Sequence, residues 1–274
     1  MTTRLNETFG TRSRFDRASR ALRGSLFFLV WLPYLLLVAG PVQRLLLWPA
    51  ITILPSRRAR YVGAWLRAQG RVVLFLCRLT AGVRVSISGA IPDEAVVAVM
   101  NHQSVFDIPV ALTLFRDPPP LIPTRERYQW YIPTLSPILR MARFPFVTQR
   151  VAGLRNDLAQ LGDAAARVAR GENSLVIYAE GHRTRDGGIG RFMRGGPRII
   201  LTQTHRPVYT IVADGMVGAR TFTDALVLLA NSRINVVIAG PFAALPAEPV
   251  DAFLDRLRQS MIAQLAELRR APRS

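Results

Sequence analysis

Between Ser25 and Ser56 the chain carries a single charged residue, Arg44, and that stretch limits what the N-terminal segment can become. Its first part, Ser25 to Val42, would be about 27 Å long as a helix, marginal for a bilayer core about 30 Å thick. Pro33, Gly40 and Pro41 interrupt it, and the second apolar stretch, Leu45 to Pro55, is too short to cross alone. Arginines flank both sides: Arg12, Arg14, Arg17, Arg20 and Arg23 before, Arg57, Arg58 and Arg60 after. Positive charge at both ends favours keeping both on the cytoplasmic face. The apolar region is too long for a signal peptide and has no obvious small-residue cleavage site. Residues 25–56 therefore read as a membrane-embedded helical hairpin or anchor after a basic tail, 1–24, with Trp31, Tyr34 and Trp48 as interfacial aromatics. Residues 58–80 follow as an amphipathic helix. Val62, Trp65, Leu66, Val72, Val73, Leu76 and Leu79 recur at helical spacing, which suits either a domain core or a bilayer surface.

The chain has 36 basic and 18 acidic residues, a formal charge of +18, and no lysine, so every anion it grips must be gripped by guanidinium. Such an excess points to a polyanionic partner, either nucleic acid or an anionic membrane. Charge alone does not choose between them. The arginines are spread along the chain without a nucleic-acid motif or an aromatic stacking pattern, so no nucleic acid is expected as a partner. The single cysteine, Cys77, excludes an internal disulfide and a thiolate metal cluster. Three histidines far apart in sequence make no recognisable metal-ligand set, and no metal is expected.

Past Gly82 the pattern changes to short β-rich runs: Val83–Ser88, Ala95–Met100, Phe144–Val147, Ser174–Ala179, Val208–Ala213 and Ile234–Ala239. Helical segments are expected over 104–115, 153–170, 196–204 and 249–270, and Pro118–Pro120 mark a loop. The alternation predicts an α/β fold, a central, mostly parallel sheet covered by helices, with an N-terminal membrane-associated helical segment. Residues 57–274 then form one domain.

Three stretches carry chemistry. In Asn101-His102-Gln103-Ser104-Val105-Phe106-Asp107, the histidine falls where the run Ala95–Met100 ends, and active groups in open α/β sheets gather at strand C-termini. If the chain turns sharply there, the Asp107 carboxylate can reach one imidazole nitrogen, fix the tautomer and leave the other nitrogen as a base. Glu180-Gly181-His182-Arg183 follows the run Ser174–Ala179. Gly181 lets the backbone approach a ligand, Arg183 can bind a phosphate bidentately, and Glu180 can hold a substrate hydroxyl or brace an arginine. A third stretch, Phe144 to Arg150, ends an apolar run at an arginine, either a phosphate ligand or a solvated strand end.

The ordered set Asn-His-x4-Asp, apolar-Arg and Glu-Gly-x-Arg resembles the 1-acylglycerol-3-phosphate acyltransferase family over about residues 60–240. The resemblance implies His102 and Asp107 as the catalytic dyad, and Arg150, Glu180, Gly181 and Arg183 as substrate-binding residues. It also implies a membrane location on the cytoplasmic face, the inner membrane in a bacterium, and no cofactor. The implied reaction moves a fatty acyl group from acyl-CoA or acyl-carrier protein to the hydroxyl of a lysolipid, foremost 1-acylglycerol 3-phosphate, giving phosphatidic acid. There are departures. His182 stands where the family has threonine, Arg125 or Arg127 replaces an upstream lysine, Ser136 stands near a glycine position, and Thr148-Gln149-Arg150 is one residue longer than the usual ending. They leave the acceptor open to a lyso-ornithine lipid, another lysophospholipid or glycerol 3-phosphate. An arginine-rich, membrane-tethered module for nucleic acid or anionic lipid is the reading of another class.

Overall fold

The computed structural model describes residues 14–148, 150–217, 224 and 230–270. The first 13 residues of the expected basic tail lie outside them. Helix α1 runs without a break over residues 14–53, with two π-helical segments, Tyr34–Ala39 and Gln43–Leu47. Each contains the residue four positions before a proline, Leu37 before Pro41 and Leu45 before Pro49. There a proline ring would collide with the α-helical carbonyl, and widening the turn relieves the clash. The chain does not reverse at Gly40-Pro41. It reverses at Leu54, where φ is −122 and ψ is 68, and returns as α2, Arg58–Ala81. The hairpin expected within 25–56 is therefore corrected: the segment is one helix, and α2 is its antiparallel partner.

Ala18–Ile53 is long and apolar enough to cross a membrane by length and composition, about 54 Å as an ideal helix. One stripe of α1 is buried against the domain through Phe27, Ala39, Leu47 and Ile51, while Leu22, Leu29, Leu37, Leu45 and Ile53 on the other side are all more than 70% exposed. Polar ties fix the docking. Tyr34 Oη donates to Gln69, Gln43 Nε2 to Thr134 O, and Thr134 Oγ1 to Leu35 O. Phe27 meets Phe106 edge-on at 5.9 Å.

Gly82 ends α2 in the left-handed region at φ +68, and its N–H caps Arg78 O. The chain then builds β1 (Arg84–Ser88), β2 (Val97–Met100), α3 (Asp107–Leu114), β3 (Pro120–Leu121), β4 (Thr124–Arg125), α4 (Leu135–Met141), β5 (Phe146–Val147), α5 (Leu154–Ala169) and β6 (Ser174–Ile177). It closes with α6 (Gly195–Thr204), β7 (Val208–Asp214), β8 (Arg233–Phe242) and α7 (Val250–Arg270). Six strands form one sheet in the order β1-β8-β7-β2-β6-β3. The block β7-β2-β6-β3 is parallel, β8 runs antiparallel to β7, and β1 is parallel to β8. Every residue of β2 and β6 is buried, as a parallel strand covered on both faces requires. On β8 only Ile234, Val236 and Ile238 are buried, the alternation of a strand with one covered face. On α7, Phe253, Leu254, Leu257, Met261 and Leu265 form the buried stripe.

The α/β expectation with a mostly parallel sheet is met, with local corrections. The run Phe144–Val147 yields only β5, which pairs with β4 in a separate two-stranded sheet. Pro120, expected in a loop, begins β3.

Candidate active site

The site is built where β2 and β6 end side by side. Asn101, the first residue past β2, is buried and brackets Ala213 on β7. Its Nδ2 donates to Ala213 O and its Oδ1 accepts Ala213 N–H, both at 2.8 Å. That bracket extends the β2–β7 pairing past the strand and fixes the exit direction of the chain. Helix α3 begins at Asp107 rather than near Ser104, because 103–106 form a tight turn with Asp107 N–H bonded to Ser104 O.

The turn delivers the expected pair. His102 Nδ1 lies 2.8 Å from Asp107 Oδ2. The same oxygen accepts the backbone N–H groups of Gln103 at 2.7 Å and Ser104 at 2.8 Å. Asp107 is fully buried at the first turn of α3, so its charge is met by two amides, the helix N-terminus and the imidazole. With Nδ1 held by the carboxylate, the proton sits on Nδ1 and Nε2 is the free base. The Tyr178 ring, just past β6, stacks on the imidazole at 4.1 Å and 23°. Burial, and then the Asp107 charge, push the Tyr178 hydroxyl well above its usual range, so it stays neutral.

Glu180 lies beneath the site. It is buried, with Oε1 accepting His102 N–H at 3.2 Å and Oε2 accepting Gly190 N–H at 2.7 Å. With one backbone amide on each oxygen, the carboxylate clamps two loops together. Burial pushes its carboxyl above the usual glutamate range, opposed by those two amides. Gly181 takes φ +71, and a Cβ there would sit 2.2 Å from Met193 Sδ. Thr184 N–H donates to His102 O at 2.7 Å, which ties the backbone next to the half-buried Arg183 to the dyad turn.

Arg150 is placed differently. Its backbone N–H bonds Thr148 Oγ1, and Thr148 is in turn bonded to Asp157 on α5. The residue is exposed on the loop after β5, in the smaller sheet, and among the described residues no hydrogen bond joins it to the dyad.

Gln103, Tyr178 and Thr184 also build the site, outside the expected set. Gln103 is buried, donates to Asp214 Oδ1 at 2.9 Å and accepts Met216 N–H at 3.2 Å. Arg269 of α7 holds the same Asp214 at 2.9 Å and Gly187 O at 2.7 Å, so the C-terminal helix braces the loop behind the site. A polar residue directly after the histidine at a strand end was the available signal for Gln103. Tyr178 was hidden inside an apolar run. Cys77 is buried, and burial raises its thiol far out of the nucleophilic range. Among the described residues no group of three or more His, Cys, Asp or Glu side chains is arranged to hold a metal.

Residues 82–214, which hold the dyad, Glu180, Gly181 and Arg183, match the acyltransferase family model. No curated protein matches the chain. Among solved structures, the chain is similar to the 1-acyl-sn-glycerophosphate (LPA) acyltransferase PlsC from Thermotoga maritima. The TM-score is 0.71 at 17% identity, covering 94% of this chain and 100% of the other.

Proposed function

We propose, from the match of residues 82–214 to the acyltransferase family model, that the chain is an O-acyltransferase that acylates the free hydroxyl of a lysolipid with a fatty acyl group from acyl-CoA or acyl-carrier protein. The preferred acceptor is 1-acylglycerol 3-phosphate, and the product is phosphatidic acid. One observation carries the reading: His102 Nδ1 is held 2.8 Å from a buried carboxylate, which leaves Nε2 as a base at the end of β2.

In this reading His102 Nε2 takes the proton of the acceptor hydroxyl as its oxygen adds to the thioester carbonyl. Asp107 supports the imidazolium that forms. Collapse of the tetrahedral intermediate breaks the carbon–sulfur bond, and the departing thiolate recovers the proton from His102. The hydroxyl is itself the nucleophile, so no acyl-enzyme is required. Arg183, beside the dyad, is the ligand for the acceptor phosphate. Arg150, exposed on the loop after β5, is the second candidate ligand. Binding energy from the phosphate then orients the hydroxyl without touching the reacting atoms.

The exposed leucine stripe of α1 suits attachment to the cytoplasmic face of a membrane, and Trp130 and Tyr131, exposed on the loop before α4, add interfacial aromatics. The test of substrate class is a panel of lysophosphatidic acid, other lysophospholipids, lyso-ornithine lipid and glycerol 3-phosphate with labelled acyl-CoA and purified protein in detergent. The expected result is highest kcat/KM for lysophosphatidic acid. A preference for an acceptor without phosphate would overturn the role of Arg183.

A further inference from the structure

At the N-terminal ends of β3 and β6, opposite the strand ends that carry the dyad, lies a cationic recess. A cavity of about 380 Å³ lies between the turn that precedes α2, the strand-entry residues Pro119 and Asn173, and the turn that follows α4. Asn173 precedes β6 and Tyr178 follows it, so the cavity and the dyad are about 17 Å apart along that strand.

Three guanidinium-bearing residues line the cavity, Arg58, Arg143 and Arg167. Two are locked in place by the backbone. Arg58 Nε donates to Met141 O at 3.0 Å, and Arg167 donates to Arg143 O at 2.9 Å and to Asn173 Oδ1 at 2.8 Å. Arg143 itself sits at φ +53, a conformation that disfavours any residue with a Cβ. Glu172 is the lone carboxylate among the lining residues. It stands 4.0 Å from Arg167 and is already paired with Arg170 outside. Burial, and then repulsion from Arg143, push both Arg58 and Arg167 below the usual arginine range. The fold thus holds three cations around one recess with one shared countercharge, an arrangement that a multivalent oxyanion would relieve.

The position of the recess narrows the anion further. Pro55 and Ser56, in the turn between α1 and α2, form part of its wall. Immediately before them Ile53 and Leu54 are exposed, with Trp48 one turn earlier. The mouth therefore adjoins the tip of the helical hairpin, where exposed Ile53 and Leu54 stand next to exposed Arg57, a setting suited to a lipid headgroup. On the far side of Pro119, Arg60, Arg67, Arg71 and Arg116 line a neighbouring open recess, so the surroundings are cationic as well.

We propose that this cavity binds the phosphate of an anionic lipid headgroup, as a site separate from acyl transfer. It uses none of the residues assigned to the reaction. Inorganic phosphate shares the recognised chemistry and serves as the simplest probe.

The test is thermal unfolding of the full chain in detergent against three titrants: inorganic phosphate, short-chain phosphatidylglycerol and short-chain phosphatidylcholine. Wild type and Arg183→Ala should both show a saturable rise in Tm with phosphate and with phosphatidylglycerol. Arg143→Gly and Arg58→Gln should lose it, while acyl transfer by Arg143→Gly in detergent stays at the wild-type rate. Glycine relieves the left-handed φ at 143, so that variant folds even if Arg58→Gln does not. A larger response to phosphatidylglycerol than to inorganic phosphate supports the lipid occupant. An equal response reassigns the site to free phosphate. A response retained by Arg143→Gly but lost in Arg183→Ala, an equal response to phosphatidylcholine, or no response in wild type would overturn the proposal.

Discussion

Glu180 accepts the backbone N–H of His102 at 3.2 Å, a bond that ties the end of β2 to the end of β6 across 78 residues of sequence. With its other oxygen on Gly190 N–H, this carboxylate makes the dyad turn and the 181–194 loop into one unit. Glu180→Ala leaves two part-buried donors without this carboxylate and should cost about 1–3 kcal/mol of stability. Denaturant midpoints of the two proteins measure it.

The same group gives a pH dependence of stability. Its folded value lies above that of an exposed glutamate, so the folded chain holds the proton more tightly than the unfolded one. Stability should therefore fall as pH climbs from the ordinary glutamate range through the raised value, and level off above it. Glu180→Gln has no such proton and should flatten that slope. Unfolding midpoints across mildly acidic pH, compared between wild type and variant, check the sign. A slope unchanged by the substitution would assign it to another group.

Asp107→Asn should cut transfer by about 10²–10⁴-fold, because an amide at that position no longer holds the imidazole in the tautomer that leaves Nε2 free. One amide orientation would also set an NH₂ against the Gln103 and Ser104 donors, so a lower Tm is expected alongside. Steady-state rates corrected for the folded fraction separate the two effects.

Gly181→Ala should destabilise by about 1–2 kcal/mol from the left-handed φ alone. Met193 adds to the cost by crowding the new Cβ. Met193→Ala in the same chain should recover only the crowding part, since the backbone strain stays. Full recovery in the double variant would show that φ at 181 is not the constraint.

Replacing Leu37 and Leu45 together with arginine should move the protein from the membrane pellet to the soluble fraction. Each arginine costs about 2.5–3.5 kcal/mol at the centre of an inserted helix, and both side chains already point away from the domain. Circular dichroism should be unchanged. Continued pelleting with intact structure would argue that α1 is not the anchor.

Much of this arrangement was legible in the sequence. The buried runs before His102 and before Glu180 read as strands because both faces of β2 and β6 are covered, and the pairing of His102 with Asp107, expected only if the chain turned sharply, is made by the turn at 103–106. The role of Glu180 was not legible, because a carboxylate facing backbone amides leaves the same pattern as one facing a ligand. Two-residue strands such as β3 and β4 are too short for any periodicity. The path of α1 departs from the expectation because Gly40-Pro41 is an ordinary turn signal in water. Here two π turns absorb Pro41 and Pro49, and the reversal waits for Leu54. Arg150 lies on the loop after β5, a strand of a separate small sheet whose position no local pattern encodes.

Thiol release from acyl-CoA by purified wild type and His102→Ala, each with and without lysophosphatidic acid, probes the central chemistry most directly. Release in wild type should require the lysolipid and should drop by about 10²–10⁴-fold in the variant, with Tm preserved. Near-wild-type release by folded His102→Ala, or stoichiometric acylation of the wild-type chain without acceptor, would contradict a direct attack by the lipid hydroxyl on the thioester under His102 base catalysis.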